Sequence, residues 1–151
     1  MDEKEEISRD EGPHLNTIAM LGQAYSLLGF RIVDGVVGAG HPIKPNHSAV
    51  FAQLGASGAR LTDLAAGAGM TPQAMGEMID ELESLGYVIR KPDPHDRRAK
   101  LIMLTDKGRE ALAAGERTIV GLEQDIVAVL GERGHQQLRQ MLAALLATGR
   151  P

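Results

Sequence analysis

Apolar residues recur along the chain with the spacing of helices, interrupted once by a segment with the character of a hairpin. Between His14 and about Val37, Ile18, Leu21, Tyr25, Leu28, Ile32 and Val36 fall three or four positions apart, which predicts an amphipathic helix. Gly35, Gly38, Gly40 and Pro42 break that pattern into a loop. Pro45 and Asn46 open a second helix, with Val50, Phe51 and Leu54 turned inward and Gly55 at its end. A short third helix starts within Arg60-Leu61-Thr62-Asp63-Leu64-Ala65, with Thr62 as its N-cap and Asp63 near the positive end of the helix dipole. Gly67 and Gly69 close it. Thr71-Pro72 then begins a fourth helix, a capping hydroxyl followed by proline in the first turn. Its buried face is Met75, Met78, Ile79, Leu82 and Leu85.

A short helix, a brief turn and a longer helix form a helix-turn-helix. The fourth helix runs to Gly86, where the chain turns into Tyr87-Val88-Ile89-Arg90, a short strand. The stretch Lys91-Pro92-Asp93-Pro94-His95-Asp96-Arg97-Arg98-Ala99-Lys100 reads as a loop rich in proline and tipped by arginine, and Leu101-Ile102-Met103-Leu104 as the returning strand. Thr105 caps a long fifth helix through Leu130, with Leu112, Ile119, Leu122, Ile126 and Val129 along one side. Gly131 to Gly134 interrupts it, and a sixth helix carries Leu138, Met141, Leu142, Leu145 and Leu146. The expected fold is therefore mainly α with a small β-hairpin wing, a winged helix-turn-helix plus a helical dimerisation region. Residues 1–12 are a disordered acidic N-terminus, 13–42 an N-terminal helix and loop, 43–108 the winged unit, and 109–151 the C-terminal helices. The first and last helices carry more apolar surface than one winged unit can cover. Burial against a second copy, in a two-fold homodimer, resolves that.

Composition narrows the chemistry. There is no cysteine, which excludes disulfides and thiolate metal sites. Aromatic residues are 3% of the chain, with no Trp, so the core must be built from Leu, Ala, Val, Ile and Met. Met1-Asp2-Glu3-Lys4-Glu5-Glu6 is too acidic for a signal-peptide n-region, and no stretch approaches the ~20 apolar residues that span a bilayer, so a cytoplasmic protein without a membrane partner is expected. The net charge is -4, yet Tyr87 to Arg109 holds seven basic residues against three acidic ones, leaving -8 for the remainder. A positive patch on an acidic protein marks a place for a polyanion and points to double-stranded DNA.

In that reading the outward residues at the start of the fourth helix, Thr71, Gln73 and Gly76, meet the major groove. Gln73 can pair bidentately with adenine, Thr71 can touch a phosphate or thymine methyl, and Gly76 permits close backbone approach; ordinary cap and surface roles suit Thr71 and Gln73 equally. The same helix carries Glu77, Asp80, Glu81 and Glu83 and no Lys or Arg, so its acidic side is expected to face water or another protein. Arg97 and Arg98 at the hairpin tip have the dimensions to enter a minor groove, with Lys91 and Lys100 on flanking phosphates. The five His residues show no metal-ligand spacing, and none of the motifs of a nucleophile elbow, dinucleotide fingerprint or phosphate loop is present, so no metal, cofactor or catalytic residue is expected. Met70, Met75, Met78 and Met103 suit core packing better than an adaptable ligand cavity, and Arg31 suits an ion pair better than an anionic effector.

Ile43-Lys44-Pro45, Leu61-Thr62-Asp63-Leu64-Ala65, Leu82-Glu83-Ser84-Leu85-Gly86-Tyr87-Val88-Ile89-Arg90, and Asp96-Arg97-Arg98 followed by Leu104-Thr105-Asp106-Lys107-Gly108 occur in an order that resembles the MarR family of bacterial regulators. The resemblance spans roughly residues 14 to 148. It implies an obligate dimer with a winged helix-turn-helix on each protomer, and a repressor released by a small aromatic or lipophilic effector. It also implies that Arg98 is the groove-inserted residue and Asp96 its orienting carboxylate. Relatives often carry Arg where Glu77 stands, so this chain departs from the family on its reading helix. Two alternatives stay open: a protein-interaction module on a winged-helix scaffold, and a metal-responsive regulator.

Overall fold

A computed structural model describes residues 15–149, so the acidic segment 1–12, the Gly12-Pro13 boundary and His14 lie outside the described residues. The order of elements is α1 (Thr17–Gly38), a 3-10 turn (Pro45–His47) leading into α2 (Ser48–Gln53), β1 (Ala59–Arg60), α3 (Leu61–Gly67), α4 (Pro72–Ser84), β2 (Val88–Asp93), β3 (Asp96–Leu104) and α5 (Asp106–Thr148). Three of the helix starts have side-chain caps: Asn16 accepts from the Ala19 N–H, Thr71 from Ala74, and Thr105 from Gly108. Each satisfies one of the N–H groups that a helix start leaves without a partner.

The expected cap at Thr62 is not used. The residue before α3 is Arg60, extended at φ -75°, ψ 150° and without a side-chain cap bond, and Thr62 lies inside the first turn. The cause is a strand that local sequence does not announce. Ala59 and Arg60 pair antiparallel with Ile102 and Leu101, so the helix can begin only where that pairing stops. The sheet is three-stranded in the order β1-β3-β2, not a lone hairpin. Its strands also run further than expected. β2 and β3 stay paired to Asp93↔Asp96, and only Pro94 and His95 remain for the turn. Pro92 is accommodated because β2 is an edge strand and its register shifts between Pro92 and Asp93.

The core lies among α2, α3, α4, the sheet and the start of α5. Val50, Leu64, Met75, Ile79, Leu82, Tyr87 and Ile102 are its most enclosed side chains, and Met75 and Met78 are packed there as the helical spacing predicts. α5 docks on the sheet so closely that a Cβ on Gly108 would stand 2.1 Å from the Tyr87 carbonyl oxygen. The break expected over Gly131–Gly134 is confined to one residue. Gly131 has φ 70°, ψ 164°, a conformation open essentially only to glycine, and the helix resumes immediately. Across this kink His135 Nε2 meets Glu123 Oε2 at 2.7 Å.

Among the described residues nothing covers the apolar stripes of α1 and distal α5. Only Val33 and Val36 of α1 are buried, whereas Ile18 is 80% exposed, Tyr25 79%, Val129 82% and Leu146 73%. We expect Gly108→Ala to destabilise the fold by about 2 kcal/mol or more, since the obstructing atom belongs to the backbone. Urea unfolding of the purified variant beside wild type measures this.

Candidate nucleic-acid interface

Two groups of side chains make up the expected interface. On α4, Thr71, Gln73 and Glu77 are exposed. The Thr71 hydroxyl accepts from Ala74 N–H at 3.2 Å, which leaves its own hydrogen available to donate outward, so capping and a phosphate contact are compatible. Gln73 Nε2 donates to Glu77 Oε1 at 3.4 Å. Gly76 is half-buried, and a Cβ there would make an ordinary 3.7 Å contact with Leu61 of α3, so the protein's own packing does not demand glycine.

On the wing, Lys91, Arg97, Arg98 and Lys100 are all exposed. Successive strand side chains alternate faces, which puts Arg98 and Lys100 on one face of the ribbon and Arg97 on the other. Lys91 sits opposite Leu101 and shares Arg97's face, so the ribbon is cationic on both sides. Among the described residues none of these four cations is in an ion pair with a carboxylate. Asp96 does not hold the Arg98 guanidinium. Its Oδ1 accepts from the Arg98 backbone N–H at 3.0 Å, so it fixes the backbone of the turn and leaves the guanidinium unengaged.

The wing is fastened to the helix-turn-helix by Arg60, which sits between β1 and α3. Its Nε and one terminal nitrogen donate to Asp93 Oδ2 at 2.9 and 2.6 Å, while Asp93 Oδ1 accepts from the His95 N–H at 2.8 Å. Asp93 is buried, and the His95 amide together with the Arg60 guanidinium holds its carboxyl below the ordinary aspartate value. Sequence reasoning missed this anchor, since the partners are 33 residues apart and meet only because the two-residue β1 joins the sheet.

The acidic residues of α4 require a correction. They remain at least partly exposed, but three of the four are ion-paired within the chain. Glu81 is bonded by Lys44 Nζ and lies 3.0 Å from His47 Nε2, and Asp80 and Glu83 both bind Arg90 of β2. The Lys44 and His47 bonds hold the Glu81 carboxyl below its usual value. His47 is fully buried, not a solvated loop residue. Its Nδ1 accepts from the Lys44 backbone N–H at 3.2 Å, which assigns the hydrogen to Nε2, facing Glu81. Three of the four α4 carboxylates thus have cation partners within the chain. Likewise Arg90 and Arg109 belong to internal ion pairs and Lys107 lies over the Tyr87 ring, so the basic patch reduces to the four wing residues.

Between α1, α2, the end of α3 and α5 lies a cavity of about 440 Å³. Ile32, Phe51 and Leu112 give it apolar walls, while Tyr25, Gln53 and Glu116 add polar atoms. The sequence offered no pocket residues, because the cavity is formed by elements distant along the chain. Arg31 is not part of it and pairs with Asp125 across α1 and α5 at 2.6 Å. No helix among the described residues is long and apolar enough to cross a membrane.

Residues 41–99, the segment holding the helix-turn-helix and most of the wing, match the family model described as MarR family. The fold is also that of solved regulators. The repressor CouR on a 23-mer DNA duplex is 28% identical, with a TM-score of 0.72 over 87% of this chain and 92% of that one. Over that segment and in its fold, the chain is similar to transcriptional regulators of the MarR family. CouR, known from Rhodococcus jostii RHA1, was also solved with p-coumaroyl-CoA; that structure is 25% identical, with a TM-score of 0.69 over 87% of this chain and 91% of that one. A probable transcriptional regulator from Pseudomonas aeruginosa, 24% identical, shares the fold with a TM-score of 0.69 over 86% of this chain and 96% of that one. No curated protein matches the chain significantly.

The lowered Asp93 value gives the wing a defined acid response. Its stabilising contribution is complete above the ordinary aspartate value of 3.8 and is lost as pH falls through the lower folded value. Asp93→Asn should be less stable than wild type at pH 7 and lose less stability between pH 5 and 2. Urea midpoints measured across that range check the sign, and parallel acid limbs would contradict it.

Proposed function

We propose that the protein is a homodimeric repressor that binds a pseudo-palindromic DNA operator and is released by a small aromatic or lipophilic effector. The observation that carries the DNA reading is the ribbon of four cations, basic on both faces and, among the described residues, without ion-pair partners. A minor groove sets phosphates on both sides of an inserted ribbon, and Arg98 at its narrow end suits the stronger negative potential of an A·T tract. Lys91, Lys100 and Arg97 neutralise the flanking phosphates, and the start of α4, with Thr71, Gln73 and Gly76, enters the major groove.

The uncovered faces of α1 and α5 support the dimer, with residues 13–42 and 109–151 as its dimerisation region. Ile18, Leu145 and Leu146 expose apolar area that a second copy would remove from water, at about 25 cal/mol per Å². Two-fold symmetry then sets the reading helices about one DNA turn apart, roughly 34 Å, with half-sites about 10 base pairs apart. The 440 Å³ cavity supports an effector, since its walls are apolar with a few polar atoms and it lies between the winged unit and the terminal helices. An effector favouring a different spacing of the two winged units would displace both reading helices together. CouR, solved with DNA and with an aromatic acyl thioester, is consistent with both halves of this reading.

Arg98→Ala should weaken operator binding at least tenfold with an unchanged thermal midpoint, as measured by fluorescence anisotropy on duplexes selected from the source genome. Unchanged affinity removes the wing from the mechanism. Light scattering at micromolar concentration should return twice the 16.1 kDa chain mass, and a monomer mass would overturn the dimer.

A further inference from the structure

α4 carries four carboxylates and no cation of its own, and three of the four are bonded by cations from neighbouring elements: Glu81 by Lys44, Asp80 and Glu83 by Arg90. Glu77 is different. It is exposed, no cation lies within ion-pair distance of it among the described residues, and its internal partner is the amide of Gln73 one turn earlier. Both residues lie on the part of α4 assigned to the major groove, where an uncompensated carboxylate is repelled by phosphates and gains only from a base edge that donates. Carboxylate oxygens only accept, and the amino donors of the major groove are cytosine N4 and adenine N6. Beside adenine N6 stands N7, an acceptor that repels a carboxylate, whereas cytosine presents its amino group with no acceptor of its own.

Gln73 strengthens the same preference. Its amide nitrogen is turned to Glu77, and the amide oxygen has no donor among the described residues. Bidentate pairing with adenine needs the nitrogen on N7 and the oxygen on N6 of one base, so the bond to Glu77 competes with that mode. We infer that Glu77, held by Gln73, is a specificity-determining residue that selects a cytosine in each operator half-site. The inference rests on the DNA-binding reading above and adds what that reading lacks, the identity of a base pair it recognises.

The test is selection from a random duplex library by the full-length protein, run for wild type and Glu77→Gln, followed by affinities for the winning site and for the site with the chosen cytosine changed to thymine in both halves. Wild type should enrich a cytosine at symmetric positions and lose roughly ten- to hundred-fold affinity per half-site on the change to thymine, the usual range for one well-made base contact. Glu77→Gln should lose that preference, with specific affinity reduced and affinity for unrelated duplex raised, because a negative charge has left the interface. Retention of the same cytosine preference by Glu77→Gln, at equal strength, overturns the role of Glu77 while leaving DNA binding intact. Failure of both proteins to enrich any sequence or bind any duplex overturns the DNA-binding reading itself, and this inference with it.

Discussion

A helix assigned to the major groove but bearing four carboxylates and no cation has to be neutralised from outside itself, and much of the winged unit is organised around doing so. Lys44 and His47 come from the turn before α2 and close on Glu81; Arg90 comes from β2 and closes on Asp80 and Glu83. These bonds fix α4 on two sides, against a segment that precedes Glu81 by more than thirty residues and against the wing that follows the helix. His47 shows how tightly. Both of its ring nitrogens are engaged in a fully buried site, so removing Glu81 would leave a buried donor unsatisfied at a cost of about 1–3 kcal/mol. The exposed members of the network contribute less individually, because water screens them.

The cations are sorted by the same logic. Arg60, Arg90 and Arg109 meet carboxylates within the chain, while Lys91, Arg97, Arg98 and Lys100 project from the ribbon without one among the described residues. A protein of net charge -4 thereby keeps a concentrated positive end, and the acidic remainder discourages indiscriminate coating of nucleic acid. The ribbon has to be held at a fixed angle for those charges to count. Arg60 supplies that hold through Asp93, next to the two-residue turn, from a position that is at once the end of β1 and the start of α3.

Much of this architecture was legible in the sequence. Three- and four-residue spacing gives the helices, Thr71-Pro72 and Thr105 mark two helix starts through capping chemistry, and Gly131 marks the kink. What local pattern cannot carry is identity conferred by pairing. Ala59-Arg60 is a strand only because β3 lies beside it, and that pairing moved the start of α3 ahead of Thr62. The same limit applies to charge. Asp80, Glu81 and Glu83 look like a solvated acidic face when read along the helix, and their cations stand 7 to 37 residues away. For α1 and distal α5 the periodicity correctly marks an apolar stripe, but periodicity does not say which surface covers it.

The cavity and the charge network share an element. α2 contributes Phe51 and Gln53 to the cavity wall, and His47, bonded to α4 through Glu81, immediately precedes the first residue of α2. A ligand that shifts α2 by a fraction of an ångström cannot be absorbed by soft packing at His47, because that ring is enclosed and bonded at both nitrogens. Either the His47–Glu81 bond breaks or α4 follows. In the proposed repressor this gives the effector a route to the reading helix within one protomer, in addition to any change in spacing between protomers. The internal ion pairs that make an acidic helix tolerable beside DNA would then also carry the news that a ligand has arrived.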